Sequence, residues 1–126
     1  MRLFYQPSIV KEAQPLFIEP KPEPIPTVLF NTARVININA SISKNKVFLE
    51  WIVSENESAA QFEVEKSIDG KNFIMTALVF GTDKIASDTY QFYEKKGNSK
   101  VQYRIKIINK NQTVEYSSAI EINPNT

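Results

Sequence analysis

The sequence predicts an all-β fold, a seven-stranded β-sandwich behind an extended, proline-rich leader. From Arg34 onward apolar and polar residues alternate with period two, as half-buried strands require. Polar turn segments interrupt this alternation at about the 8–12 residue spacing of a sandwich. No stretch combines a helical apolar period with caps over ten residues or more.

Proline sets the division of the chain. Pro7, Pro15, Pro20, Pro22, Pro24 and Pro26 fall in the leader, Pro124 lies at the end, and residues 27–123 contain none. Proline lacks a backbone donor and biases its preceding residue to extended conformations, so residues 19–26 read as a polyproline-like spacer. The leader is assigned to residues 1–33 and the sandwich to residues 34–126. Two apolar clusters, 16–18 and 28–30, flank the proline run.

The first strand, 34–43, alternates Val35, Asn37 and Asn39 with Ile36, Ile38, Ala40 and Ile42, and stops at the polar 44–46 segment. The second, 46–53, puts Val47, Leu49 and Trp51 on one face and Phe48, Glu50 and Ile52 on the other, which makes Trp51 a core residue. A polar loop at 54–58 leads to 61–68, with Phe62 and Val64 inward, Ile68 next in the same series, and Glu63 and Glu65 outward. Asp69-Gly70 is the strongest short hairpin signal, because both residues tolerate positive φ. Further strands fall at 72–80, 89–93, 100–108 and 113–122. The last two flank residues 109–112, where asparagine replaces glycine as the residue that enters the left-handed region.

Composition excludes much chemistry. The 126 residues carry 15 Lys plus Arg against 14 Asp plus Glu, a net charge of +1 that gives no field to gather nucleic acid or anionic lipid. With no histidine and no cysteine, the usual general base, the commonest zinc ligands and a disulfide framework are all missing. Gly70, Gly81 and Gly97 are too far apart for a phosphate-binding loop. The opening Met1 to Pro7 has no apolar run of signal-peptide type behind it, and no apolar stretch approaches the roughly 20 residues of a membrane helix.

The run Phe62-Glu63-Val64-Glu65-Lys66-Ser67-Ile68-Asp69-Gly70-Lys71-Asn72-Phe73 follows Trp51, and is followed in turn by Tyr90-Gln91-Phe92, Tyr103-Arg104-Ile105-Lys106 and Tyr116-Ser117. In order and separation these motifs resemble the fibronectin type III-like domain of secreted and surface proteins of Bacteroidetes, over about residues 34–123. The resemblance implies an immunoglobulin-like sandwich in which Trp51 and Tyr103 are core and the tyrosine hydroxyl bonds backbone near the preceding corner. It also implies an extracytoplasmic setting, although the chain stops at Asn125-Thr126 directly after its last strand, so that any export route is expected to be encoded elsewhere or to be absent. The loop at Glu55, Asn56 and Glu57 departs from the family pattern, the last hairpin lacks the usual glycine, and no integrin-type tripeptide occurs.

Several residue groups invite a chemical role. Ser41-Ile42-Ser43-Lys44 matches the S-x-x-K pattern, but it ends a strand rather than opening a helix, so Lys44 reads as a turn residue. Glu63 and Glu65 sit about 7 Å apart on one strand face, and a neighbouring strand carrying Arg104 and Lys106 would turn them into a solvent-facing charge ladder rather than a glycosidase pair. Lys95, Lys96 and Lys100 mark a solvated corner, and Asp69, Asp83 and Asp88 lack calcium-loop spacing. No catalytic, cofactor-binding or metal site is assigned.

The candidate interaction surface is Phe48, Ile52 and Tyr93, apolar residues on outward positions, together with Leu29 and Phe30 of the leader as a segment that covers Phe48 and Ile52 or pairs along a sheet edge. With these features the resemblance implies a non-catalytic spacer or protein-interaction module of an extracytoplasmic bacterial protein, with other domains or a second copy as partners. The alternative that it implies is a carbohydrate-binding accessory module with polysaccharide as ligand. No cofactor, nucleic acid or membrane span is expected.

Overall fold

A computed structural model describes residues 31–124. The leader clusters 16–18 and 28–30, and with them Leu29 and Phe30, lie outside the described residues. The strands of the described residues are β1 (Arg34–Ser43), β2 (Lys46–Ser54), β3 (Ala59–Ser67), β4 (Ile74–Phe80), β5 (Ser87–Lys95), β6 (Val101–Asn109), β7 (Val114–Tyr116) and β8 (Ile120–Ile122), with a 3₁₀ turn at Asn56–Ser58. Among the described residues there are eight strands rather than seven, because the expected 113–122 strand breaks at Ser117–Ala119. At the break Ser117 Oγ accepts from Ile105 N at 2.8 Å and donates to the carbonyl of Ser118, a side-chain bond that competes with the ladder.

Two antiparallel sheets form the sandwich. One is three-stranded, in the order β1-β2-β5; the other is five-stranded, in the order β4-β3-β6-β7, with β8 also paired to β6. The inward series of both sheets meet: Val47, Leu49, Trp51 and Val53 of β2 and Tyr90 of β5 pack on Phe62 and Val64 of β3 and Tyr103, Ile105 and Ile107 of β6. Trp51 is fully buried, stacked on Tyr90 with centroids 5.8 Å apart and edge-on to Phe62 at 6.0 Å. Burial of such large side chains is the main favourable term of the fold.

Turn chemistry differs from the sequence expectation at three places. The β1–β2 hairpin turns on Lys44 and Asn45, both at positive φ (51° and 67°), the two-residue turn that matches strand twist. At Asp69-Gly70 only Gly70 takes positive φ, in a longer loop between β3 and β4. Asp69 instead acts through its carboxylate, which accepts the amides of Lys71 and Asn72 at 2.8 Å each. In the 109–112 turn the left-handed residue is Gln112 and not an asparagine. Asn109 is buried and uses its Oδ1 to accept Ala33 N across the fold. Ile68, the next member of the inward series, is 78% exposed, because β3 ends at Ser67.

Candidate functional site

The outer face of the three-stranded sheet is the candidate site. Strand register fixes it as rows that run across β1, β2 and β5. The first row is Ser43, Lys46 and Lys95; the second is Ser41, Phe48 and Tyr93. The third is Asn39, Glu50 and Gln91, and the fourth is Asn37, Ile52 and Thr89. Successive rows are two residues apart, about 7 Å along the strands, and all project to the same side.

The second row is a ring platform. Phe48 and Tyr93 are directly paired, 40% and 58% exposed, with centroids 5.5 Å apart and planes tilted by 32°. Lys46 reaches diagonally over the Tyr93 ring, its Nζ 5.0 Å from the centroid. In the third row Gln91 Nε2 donates to Glu50 Oε2 at 3.1 Å, and a shallow groove beside Phe48 is lined by Asn39, Ser41, Glu50 and Gln91. Ile52 is half-buried rather than fully outward. Phe48 and Tyr93 stand together as the sequence placed them on outward positions. The sequence places Lys95 at a solvated corner and gives Lys46 no role; the β2–β5 register sets the two directly opposite each other beside the rings. Among the described residues no ion pair takes up Lys44, Lys46 or Lys95.

The outer face of the other sheet carries the charge ladder. Glu63 pairs in register with Lys106 and Glu65 with Arg104, as the sequence suggests. The ladder is not simply solvent-facing, however: Glu65 is only 8% exposed, with Arg104 Nε donating to its Oε1 at 2.7 Å. Arg104 is itself held between two rings, its guanidinium 4.1 Å from the Phe73 centroid and 4.4 Å from that of Tyr116. The Glu63–Lys106 contact is looser, at 3.8 Å. These carboxylates have cationic partners in place.

Two polar clusters close the ends of the sandwich. At one end Glu94, on the inward series of β5, accepts from Tyr103 Oη at 2.5 Å and from Lys66 Nζ at 2.9 Å. Burial pushes the Glu94 carboxyl up, but these two bonds outweigh it and hold the group below the ordinary carboxylate range. Burial, followed by the bond to Glu94, pushes the Tyr103 phenol well above its usual value. Tyr103 is core, as expected, but its hydroxyl bonds this carboxylate in place of backbone at a corner. At the other end Asn56 is fully buried. Its Oδ1 accepts from Tyr90 Oη at 2.5 Å, and its Nδ2 donates to the Lys84 carbonyl at 2.8 Å.

The remaining candidates are occupied elsewhere. Ser41 belongs to the second row above, three residues from Lys44 in the hairpin turn. Asp83 pairs with Lys110 at 2.7 Å, and Asp88 accepts from Thr82 Oγ1 at 2.5 Å, the bond that chiefly lowers its pKa. Lys96 Nζ donates to the Pro124 carbonyl at 3.4 Å, and Lys100 lies 3.9 Å from Glu121. No helix among the described residues is long and apolar enough to cross a membrane.

No protein-family model matches the chain, and no curated protein matches it. Among solved structures it is similar to part of the pectate lyase Pel3 from Pectobacterium carotovorum, at 17% identity and TM-score 0.54, over 75% of this chain and 27% of that one. It is also similar to part of OgpA from Akkermansia muciniphila, at 12% identity and TM-score 0.56, over 86% of this chain and 30% of that one. A β-1,2-glucanase from Parabacteroides distasonis matches at 13% identity and TM-score 0.50, over 74% of this chain and 13% of that one. This chain therefore spans less than a third of each of those proteins. At such identity the likeness shows the fold.

Proposed function

We propose that residues 34–126 form a fibronectin type III-like, non-catalytic binding module of an extracytoplasmic bacterial protein, and that the outer face of the three-stranded sheet is the surface it uses. The observation that carries this is the exposed Phe48–Tyr93 pair, flanked by two lysines that have no anionic partner among the described residues. Large exposed apolar groups beside unspent charge mark contact surfaces. The core positions of Trp51 and Tyr103 support the family resemblance, and the engagement of Glu63, Glu65 and Glu94 with cations supports a non-catalytic role. The extracytoplasmic setting rests on the resemblance.

A second reading, carbohydrate binding, is favoured by the composition of the rows. Ser41, Asn39, Gln91 and Glu50 offer neutral and charged hydrogen-bonding groups beside an aromatic platform, the pairing that a sugar with one apolar face and a rim of hydroxyls needs. The similar solved structures include a pectate lyase, a glucanase and OgpA crystallised with an O-glycopeptide substrate; those substrates belong to those proteins.

Affinity electrophoresis of the full chain through gels containing soluble polysaccharides separates the readings. Retardation that is lost in Phe48→Ala/Tyr93→Ala, with an unchanged melting temperature, establishes carbohydrate binding at this face. Retardation that survives the double substitution contradicts the assignment of the face. Absence of retardation by every polysaccharide removes the carbohydrate reading and leaves a spacer or protein-binding module.

A further inference from the structure

We propose that the outer face of the three-stranded sheet takes an oligosaccharide whose acidic group sits on one sugar and not on every sugar, with the anion at Lys46 and Lys95 and a neutral ring over Phe48. The inference rests on the carbohydrate reading above and adds to it the charge pattern of the ligand.

Lys46 and Lys95 are directly opposite in register on one face. Residues so placed have Cβ atoms about 4.5–5.5 Å apart, and like charges there destabilise the sheet unless an anion lies between them. Among the described residues none does, and Lys44 adds a third cation at the adjoining turn. The next row supplies rings, with Lys46 Nζ already 5.0 Å from the centroid of Tyr93. Cation and platform are therefore one unit, suited to a ligand that joins a carboxylate to an apolar ring face.

The third row sets the limit on ligand charge. Glu50 lies four residues along β2 from Lys46, about 13 Å away, and Gln91 fixes its carboxylate on the same face. A chain with an anion on every unit would bring a negative charge onto Glu50. One with only neutral units after the acid would bring hydroxyls there, which the Glu50 carboxylate accepts and the Gln91 and Asn39 amides complement. The same carboxylate disfavours single-stranded nucleic acid, which could stack on the rings but carries phosphate at every step.

The test is calorimetric titration of the full chain with four probes: a tetrasaccharide of one terminal glucuronate followed by three neutral sugars, neutral chitotetraose, tetragalacturonate, and oligothymidylate. The singly acidic probe is expected to bind about tenfold more tightly than the others at low salt and to weaken severalfold when about 0.3 M salt screens the lysines. Lys46→Gln/Lys95→Gln should lower that affinity at least fivefold or so while melting no lower than the parent, since it relieves a like-charge pair. Equal binding of the acidic and neutral tetrasaccharides, unaffected by the lysine substitutions but lost in Phe48→Ala, would overturn the charge pattern and leave the carbohydrate reading intact. Preference for tetragalacturonate or oligothymidylate would also overturn it. If no saccharide binds, both readings fail together.

Discussion

The two outer faces of the sandwich hold similar side chains in opposite conditions. Each presents two aromatic rings, lysine or arginine, and glutamate. On the five-stranded sheet these groups engage one another: Arg104 lies between Phe73 and Tyr116 and is bonded to Glu65. On the three-stranded sheet Phe48 and Tyr93 lean on each other with much of their area open, and Lys95 faces Lys46 instead of a carboxylate. Exposed aromatic residues are therefore not in themselves a site. The distinguishing property is whether their polar neighbours have found partners within the fold.

Both faces depend on one core, and removing it sets the upper limit of any effect. Trp51→Ala should cost roughly 3–5 kcal/mol in urea denaturation, because the ring packs against both Tyr90 and Phe62 and no neighbour can fill its place. Arg104→Ala breaks the satisfied face. It leaves the Glu65 carboxylate, 10% exposed, without its cation, and should cost about 2–3 kcal/mol.

The Glu94 cluster gives a pH-dependent check. Its folded carboxyl titrates below the ordinary value of 4.5, so the stability that it contributes is present above that pH and is lost as pH falls through the folded pKa. The melting temperature should drop below about pH 4.5, and Glu94→Gln should flatten part of that drop while costing about 1–2 kcal/mol at neutral pH through its bonds to Tyr103 and Lys66. A pH profile unchanged by the substitution would contradict the role given to this carboxylate. The smallest effect belongs to the open face. Phe48→Ala/Tyr93→Ala should cost less than about 1 kcal/mol, since the two rings mainly contact each other, and a loss comparable to that of Arg104→Ala would erase the contrast between the faces.

The core and the faces were largely legible in the sequence because both follow from period two alone. Trp51 inward, Phe48 and Tyr93 outward, and Glu63 and Glu65 opposite Lys106 and Arg104 need only alternation and a neighbouring strand. What alternation does not carry is register between strands distant in sequence. The opposition of Lys46 and Lys95 depends on how β2 pairs with β5, and the sequence reading ended that strand at Tyr93, before either Glu94 or Lys95 could be placed. Extending the Tyr90, Phe92 series by one step would have put Glu94 inward. Asn56 carried no such signal, because its burial comes from three residues of two segments that converge on one amide: Tyr90 on β5, and Thr82 and Lys84 in the loop before it. Glu65 was misjudged for a similar reason. Its strand position is outward, but Arg104 and the rings beside it shield that part of the face.

The most direct test of the contrast is chemical-shift mapping of the isotopically labelled full chain during titration with the tetrasaccharide that carries one terminal glucuronate. Perturbations that cluster on Lys46, Phe48, Gln91, Tyr93 and Lys95 while Arg104 and Tyr116 stay fixed are the predicted result. Perturbations centred on Arg104 and Tyr116, or none on either face, would contradict the account.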